Sequence, residues 1–108
     1  MLDTYKYKVD FSKVEYYIEI HEVLKHDLDF PDYYGGNLDA LWDCLTDMLC
    51  DISFIEICNF EKIAKKYHEE WRNIIKIFKE TKHAYNDKYS DRFFVTIVHN
   101  DGTCEEIK

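Results

Sequence analysis

The chain has 108 residues, enough for one hydrophobic core and no second, and its 17% aromatics make that core feasible despite 33% charged residues. A formal net charge of -8 argues against nucleic acid as a direct ligand, because phosphate binding needs a basic footprint, and favours a cationic partner. The opening MLDTYKYKVDF has no apolar stretch like that of a secretory signal, and no run reaches the ~18 apolar residues of a membrane span, so a single cytoplasmic domain over residues 1–108 is expected.

Tyr5, Tyr7 and Val9 alternate with Lys6, Lys8 and Asp10, the period of a half-buried strand. From Tyr17 to Leu28, Ile20, Val23, Leu24 and Leu28 recur at helical spacing. That helix should stop by Asp29, because Pro31, the only proline, biases Phe30 away from helical geometry. Gly35 and Gly36, two of the three glycines, then open backbone conformations closed to other residues. Asn37 is placed to cap a helix running from Leu38 to about Cys50, its side-chain oxygen accepting from a free amide of the first turn.

On this helix Leu38, Leu41, Cys44, Leu45, Met48 and Leu49 fill one arc, with Trp42 at its edge. Asp39, Asp43 and Asp47 form a stripe away from that arc, and no lysine or arginine occurs in the helix. Like charges four residues apart cost roughly 0.2 to 0.5 kcal/mol per pair, and only Asp39, in the first turn, gains from the helix dipole. By spacing alone such a stripe is an ordinary solvated face. Beside a tryptophan and two loop tyrosines, Tyr33 and Tyr34, it also suits a basic protein partner.

Phe54 to Cys58 is short and β-branched, the pattern of a buried strand, and Asn59 is placed to cap a brief helix from Phe60 to Tyr67. A longer helix from about Glu69 to Tyr85 carries an apolar stripe of Trp71, Ile74, Ile75 and Phe78, with Glu80 on the opposite side; His68, Glu69 and Glu70 read simply as its acidic start. A polar loop, Asn86 to Asp91, leads to Arg92–Val98, whose FFVTIV run is dense enough in β-formers to lie centrally in a sheet. The tail after Asn100 has a turn signal and little else. Strands alternating with helices imply parallel neighbours joined by right-handed crossovers, so the expected fold class is α/β, a three-stranded parallel sheet covered by helices.

Nothing here points to an enzyme. His21 and His26 flank Glu22 in a way that suggests a zinc-protease motif, but five residues separate them by about 140° around a helix, too far to chelate from one face. No phosphate-binding glycine loop or nucleophile elbow is present. Cys44, Cys50, Cys58 and Cys104 contain no C-x-x-C pair and read as free, mostly buried thiols. No metal and no cofactor is expected.

The stretch Tyr33-Tyr34-Gly35 followed by Asn37-Leu38-Asp39-Ala40-Leu41-Trp42-Asp43-Cys44-Leu45-Thr46 resembles, almost residue for residue, the loop and second helix of the barstar family. These are intracellular inhibitors of barnase-type ribonucleases. A weaker, collinear similarity runs from about Val9 to Val98 and includes Phe60 and Phe78-Lys79-Glu80. The resemblance implies a barstar-like α/β fold and inhibition of a small, basic, secreted microbial ribonuclease in a one-to-one complex. By position it implies that Asp43 stands where the scissile phosphate would bind, that Asp39 adds a second ionic contact, and that Tyr33 packs on the enzyme's catalytic histidine. Gly35, Asn37 and Trp42 would flank them, and Glu80 would add a further acidic contact. Met48 departs from a family tryptophan, Asp47 from a glycine, and Ala84 from a second acidic contact for which Asp87 is a candidate replacement. These departures lie at the rim and favour a different cognate ribonuclease. The alternative is a binding or regulatory module that keeps the scaffold for another basic protein.

Overall fold

The computed structural model describes residues 2–84 and 91–108. Its elements are β1 (Thr4–Asp10), α1 (Tyr17–Asp27), α2 (Leu38–Asp47), a 3-10 turn (Met48–Cys50), β2 (Ile52–Cys58), α3 (Glu61–Lys66), α4 (His68–His83), β3 (Phe93–Val98) and β4 (Cys104–Glu106). The expected helix from Leu38 to Cys50 is thus α2 plus a tighter final turn. Asp87 and the rest of the loop before Asp91 lie outside the described residues.

Strand order is β1-β2-β3-β4; β1, β2 and β3 run parallel, and β4 pairs antiparallel with β3. The expected three-stranded parallel sheet is present, and the tail adds a fourth strand to it. A tight turn forms this hairpin: Gly102 sits at φ 90°, the His99 N–H donates to the Thr103 carbonyl at 2.8 Å, and the Asp101 carboxylate accepts the Thr103 N–H at 2.9 Å. Ile107 then folds in to 3% exposure, its N–H bonded to the Val95 carbonyl. A strand of three residues has no period to read, which is why the tail looked uninformative. Its effect is to give β3 neighbours on both edges.

The helices cover the sheet on one face, so β2, expected to be buried, is buried on its inner side alone. Ser53, Ile55 and Ile57 point inward, whereas Phe54 and Glu56 are exposed. The run Phe-Ile-Glu-Ile looked continuous because an aromatic also stands on its outer side. Inward, Leu24 of α1, Leu41 and Leu45 of α2, and Ile74 and Phe78 of α4 meet Ile55, Ile57, Phe93 and Val95 in one buried cluster. Leu41 and Leu45 are 0% exposed, and full burial of each contributes about 1.5 to 3 kcal/mol. That outweighs the few tenths lost to repulsion among the aspartates on the other side of α2.

Asn59 is not a helix cap. It adopts φ 54°, a left-handed conformation that asparagine tolerates better than most residues, and its Nδ2 donates to Asp10 Oδ1 at 2.9 Å. Its role is to turn the chain from β2 toward α3. Of the cysteines, Cys44 and Cys58 are buried and Cys50 and Cys104 exposed, all four as free thiols.

Candidate functional site

The segment between α1 and α2 is shaped by backbone bonds before any partner is considered. The Phe30 N–H reaches the Lys25 carbonyl at 2.9 Å, Asp29 takes φ 54°, and the Tyr34 N–H closes on the Pro31 carbonyl at 3.0 Å. Gly36 sits at φ 68°, where a side chain would be strained. A Cβ on Gly35 would come within 3.3 Å of Asn37 Nδ2 and crowd the cap. As expected, Asn37 Oδ1 accepts the Ala40 N–H at 2.8 Å and starts α2.

Tyr33 and Tyr34 then part. Tyr33 is 77% exposed and Tyr34 only 8%. The Tyr34 ring packs against Phe30 at 4.9 Å between centroids, and its hydroxyl lies 2.6 Å from Nδ1 of the buried His21. His21 Nε2 is 3.1 Å from a Glu70 carboxylate oxygen, which also accepts the Tyr17 hydroxyl. With its proton on Nε2, the imidazole donates to Glu70 and accepts from Tyr34, so both ring nitrogens and the Tyr34 hydroxyl have partners. Burial, reinforced by Cys44 and Glu70, pushes the Tyr34 hydroxyl far above the ordinary tyrosine range and keeps it a donor. This network ties the loop to α1 and α4. His21 and Glu70 were not expected in that role, although His21 follows Ile20 and precedes Leu24 on the apolar arc of α1, and a buried imidazole needs partners.

The outward side of α2 is arranged differently. Asp39, Asp43 and Asp47 are exposed, Trp42 is half-buried between them, and among the described residues none of the three aspartates forms a salt bridge within the chain. Burial, then the Asp47 and Asp43 carboxylates, push the thiol of Cys44 up, so it stays protonated and inert. Tyr33, Gly35, Asn37, Asp39, Trp42 and Asp43 therefore occupy one continuous loop and the turns of helix that follow. Glu80 is exposed on α4, the helix that packs against α2, and its carboxylate lies 3.9 Å from Lys76 Nζ. Beyond Tyr33 an open cleft of about 390 Å³ is lined by Tyr5, Tyr7, Asp29, Tyr33, Asp47, Met48 and Asp51, among others. The Asp3 and Asp51 carboxylates push the Tyr5 hydroxyl up, a sign of the negative potential there. Both rim departures, Asp47 and Met48, thus border the same cleft as Tyr33.

Among the described residues, no cluster of three or more His, Cys, Asp or Glu is arranged to hold a metal ion, and no helix is long and apolar enough to cross a membrane.

An exposed acidic helix and loop on a parallel α/β scaffold form a surface suited to binding a cationic protein. The family model described as Barstar (barnase inhibitor) matches residues 5–98, and the chain belongs to that family of ribonuclease inhibitors. It is also similar to a protein of Bacillus subtilis (strain 168) named "Putative ribonuclease inhibitor YrdF", with 36% identity over 80 residues, 74% of this chain and 85% of that protein.

Proposed function

We propose that this chain plugs the active site of a small, basic microbial ribonuclease of barnase type, one inhibitor to one enzyme, and so keeps that enzyme harmless inside the cell that makes both. The observation that carries this reading is the pair Asp39 and Asp43, exposed and, among the described residues, without a salt-bridge partner, on a helix fixed by a cap and a buried leucine face. Four residues apart, they stand about 6 Å apart along the helix axis.

A ribonuclease must stabilise phosphate charge with Arg, Lys and His, so a rigidly held carboxylate can occupy the phosphate's place. Asp43 is that carboxylate and Asp39 its support. Exposed Tyr33 packs on the catalytic histidine, with Gly35, Asn37 and Trp42 at its flanks. Glu80 joins by exchanging Lys76 for a cation of the enzyme. Because the helix is already formed, little conformational entropy is lost on docking, and the net charge of -8 speeds encounter with a cation in a way that salt weakens. Choice among related ribonucleases falls to the rim, where Asp47 and Met48 meet the acidic cleft.

Titrating the purified protein against several guanyl-specific, barnase-type ribonucleases tests this directly. Stoichiometric, salt-sensitive loss of RNA cleavage is expected for at least one of them. RNA cleavage untouched across the whole set would overturn the inhibitor reading, and equal inhibition by Asp43→Ala would overturn the phosphate-mimic mechanism.

A further inference from the structure

The cleft beyond Tyr33 opens where the N-terminal ends of β1 and β2, the loop after α1 and the last turn of α2 meet. Its walls are aromatic. Tyr5 and Tyr7 of β1, paired with Ser53 and Ile55 of β2, have ring centroids 6.4 Å apart at 28°, and Tyr33 belongs both to the cleft and to the exposed loop. Asp29, Asp47 and Asp51 supply the charge. Among the described residues no lysine or arginine lines the cleft, and none of these three carboxylates forms a salt bridge.

The floor holds a separate feature that asks for a ligand. Ser53 lies on the inner side of β2 and is 1% exposed, yet its hydroxyl bonds to no described residue, whereas buried hydroxyls almost always have partners. Nor is this oxygen sealed in. Among the described residues, Oε1 of Glu61 is the one buried side-chain oxygen both enclosed and unpartnered, so the exposure that Ser53 keeps is at its Oγ, on the cleft.

We propose that the cleft receives one arginine side chain of the protein that this chain binds. The inference rests on reading α2 and its loop as the binding surface, and adds to that surface a pocket with its own chemistry. Three carboxylates around a space of about 390 Å³ favour a cation. A bare metal ion does not suit it, because no described cluster of carboxylates is arranged to hold one. The aromatic walls favour a flat guanidinium over the compact, strongly hydrated ammonium of lysine, since guanidinium stacks on rings and presents five donors in a fork. Those donors suffice for carboxylates at the rim and the Ser53 hydroxyl at the floor together. The phenols register the same field: Asp3 and Asp51 push the Tyr5 hydroxyl up, and burial, then Asp29, push up that of Tyr7. Asp47 stands one turn, about 6 Å along the axis, beyond Asp43, so one basic surface can fill the cleft and reach Asp43 at once.

Titrating the whole protein with N-acetyl-arginine methylamide, followed by amide NMR shifts, tests the pocket without any ribonuclease. Half-saturation near about 1 mM is expected, the scale for a fragment of this size, with the largest shifts at Ser53, Asp47 and Tyr5. The citrulline analogue, similar in shape and uncharged, should bind about tenfold more weakly. Ser53→Ala and Asp51→Asn, each checked for folding by circular dichroism, should weaken arginine binding by about three- to tenfold. Against a ribonuclease that the wild type inhibits, Asp51→Asn should weaken inhibition by a similar factor. An arginine analogue that fails to bind at about 20 mM, binds no better than citrulline, or is indifferent to both substitutions overturns the inference. So does inhibition unchanged by Asp51→Asn, since the partner's arginine is then elsewhere. A protein that inhibits no ribonuclease yet binds the arginine analogue as described overturns the ribonuclease reading alone and supports the pocket.

Discussion

Tyr33 and Tyr34 are adjacent, chemically identical and opposite in environment, and the two sides of their loop differ in the same way. The outer side, Tyr33 with Asp39 and Asp43, leaves aromatic surface exposed and carboxylates without a salt bridge to any described residue. The underside, Tyr34 with His21 and Glu70, satisfies each polar group within the fold. A surface with unmet bonding capacity gains from a partner, and a saturated interior holds that surface in one shape. Affinity and rigidity are therefore separable by mutation. Substitutions outside should move binding and spare stability, and those underneath should do the reverse.

The largest effect should come from Asp43→Ala. If the outer side carries binding, removing a desolvated charge costs roughly 2 to 5 kcal/mol, a thirty- to several-thousand-fold weaker inhibition in a ribonuclease titration. The urea midpoint should stay within about 0.5 kcal/mol of wild type. A comparable fall in stability would erase the division.

Next in size is Tyr34→Phe, which strips the His21 Nδ1 of its buried partner. The expected cost is about 1 to 3 kcal/mol of folding stability, read from urea unfolding, with only a few-fold change in inhibition. Tyr33→Phe, which loses a hydroxyl already in water, should leave stability unchanged.

The same pair separates in alkali. Tyr34 has a folded value raised above the ordinary 10.0, so the neutral phenol favours the folded state. Its contribution is complete below pH 10.0 and drains away as pH climbs toward the raised folded value, because only the unfolded chain releases the proton there. Wild type should thus lose stability above pH 10.0 more steeply than Tyr34→Phe, measured by urea midpoints across that range. Parallel curves would place the Tyr34 hydroxyl in contact with water.

Smallest should be Asp47→Asn. This carboxylate stands at the last residue of α2, at the negative end of the helix dipole and four residues from Asp43. Neutralising it should stabilise the fold by about 0.3 to 1 kcal/mol, while selectivity among related ribonucleases shifts if the cleft at the rim contributes.

How legible all this was in the sequence follows the same division. Asn37, Gly36 and the aspartate stripe could be read directly, because capping, left-handed backbone and helical spacing are local properties. The parallel order of β1, β2 and β3 followed from alternating strands and helices. His21 and Glu70 could not be paired, since they lie 49 residues apart and each alone looks ordinary. Asn59 was misread because asparagine serves caps and left-handed turns equally well, and only the neighbouring Asp10 decides between them. The bare sheet face was hidden for a related reason: an outward Phe54 has the same hydrophobicity as an inward one.

The parallel pairing of β1 with β2 sets a schedule for the protein's synthesis. Thr4 pairs with Ile52 and Ser53 with Phe93, so no strand pairing in the parallel sheet is available until Ile52 has been made, and the third strand joins only after Phe93. Long-range pairing of this kind slows folding. A nascent copy can therefore offer no finished α2 surface, and whatever binding α2 carries rests on molecules completed beforehand. For such an inhibitor, the standing pool counts for more than the rate of new synthesis.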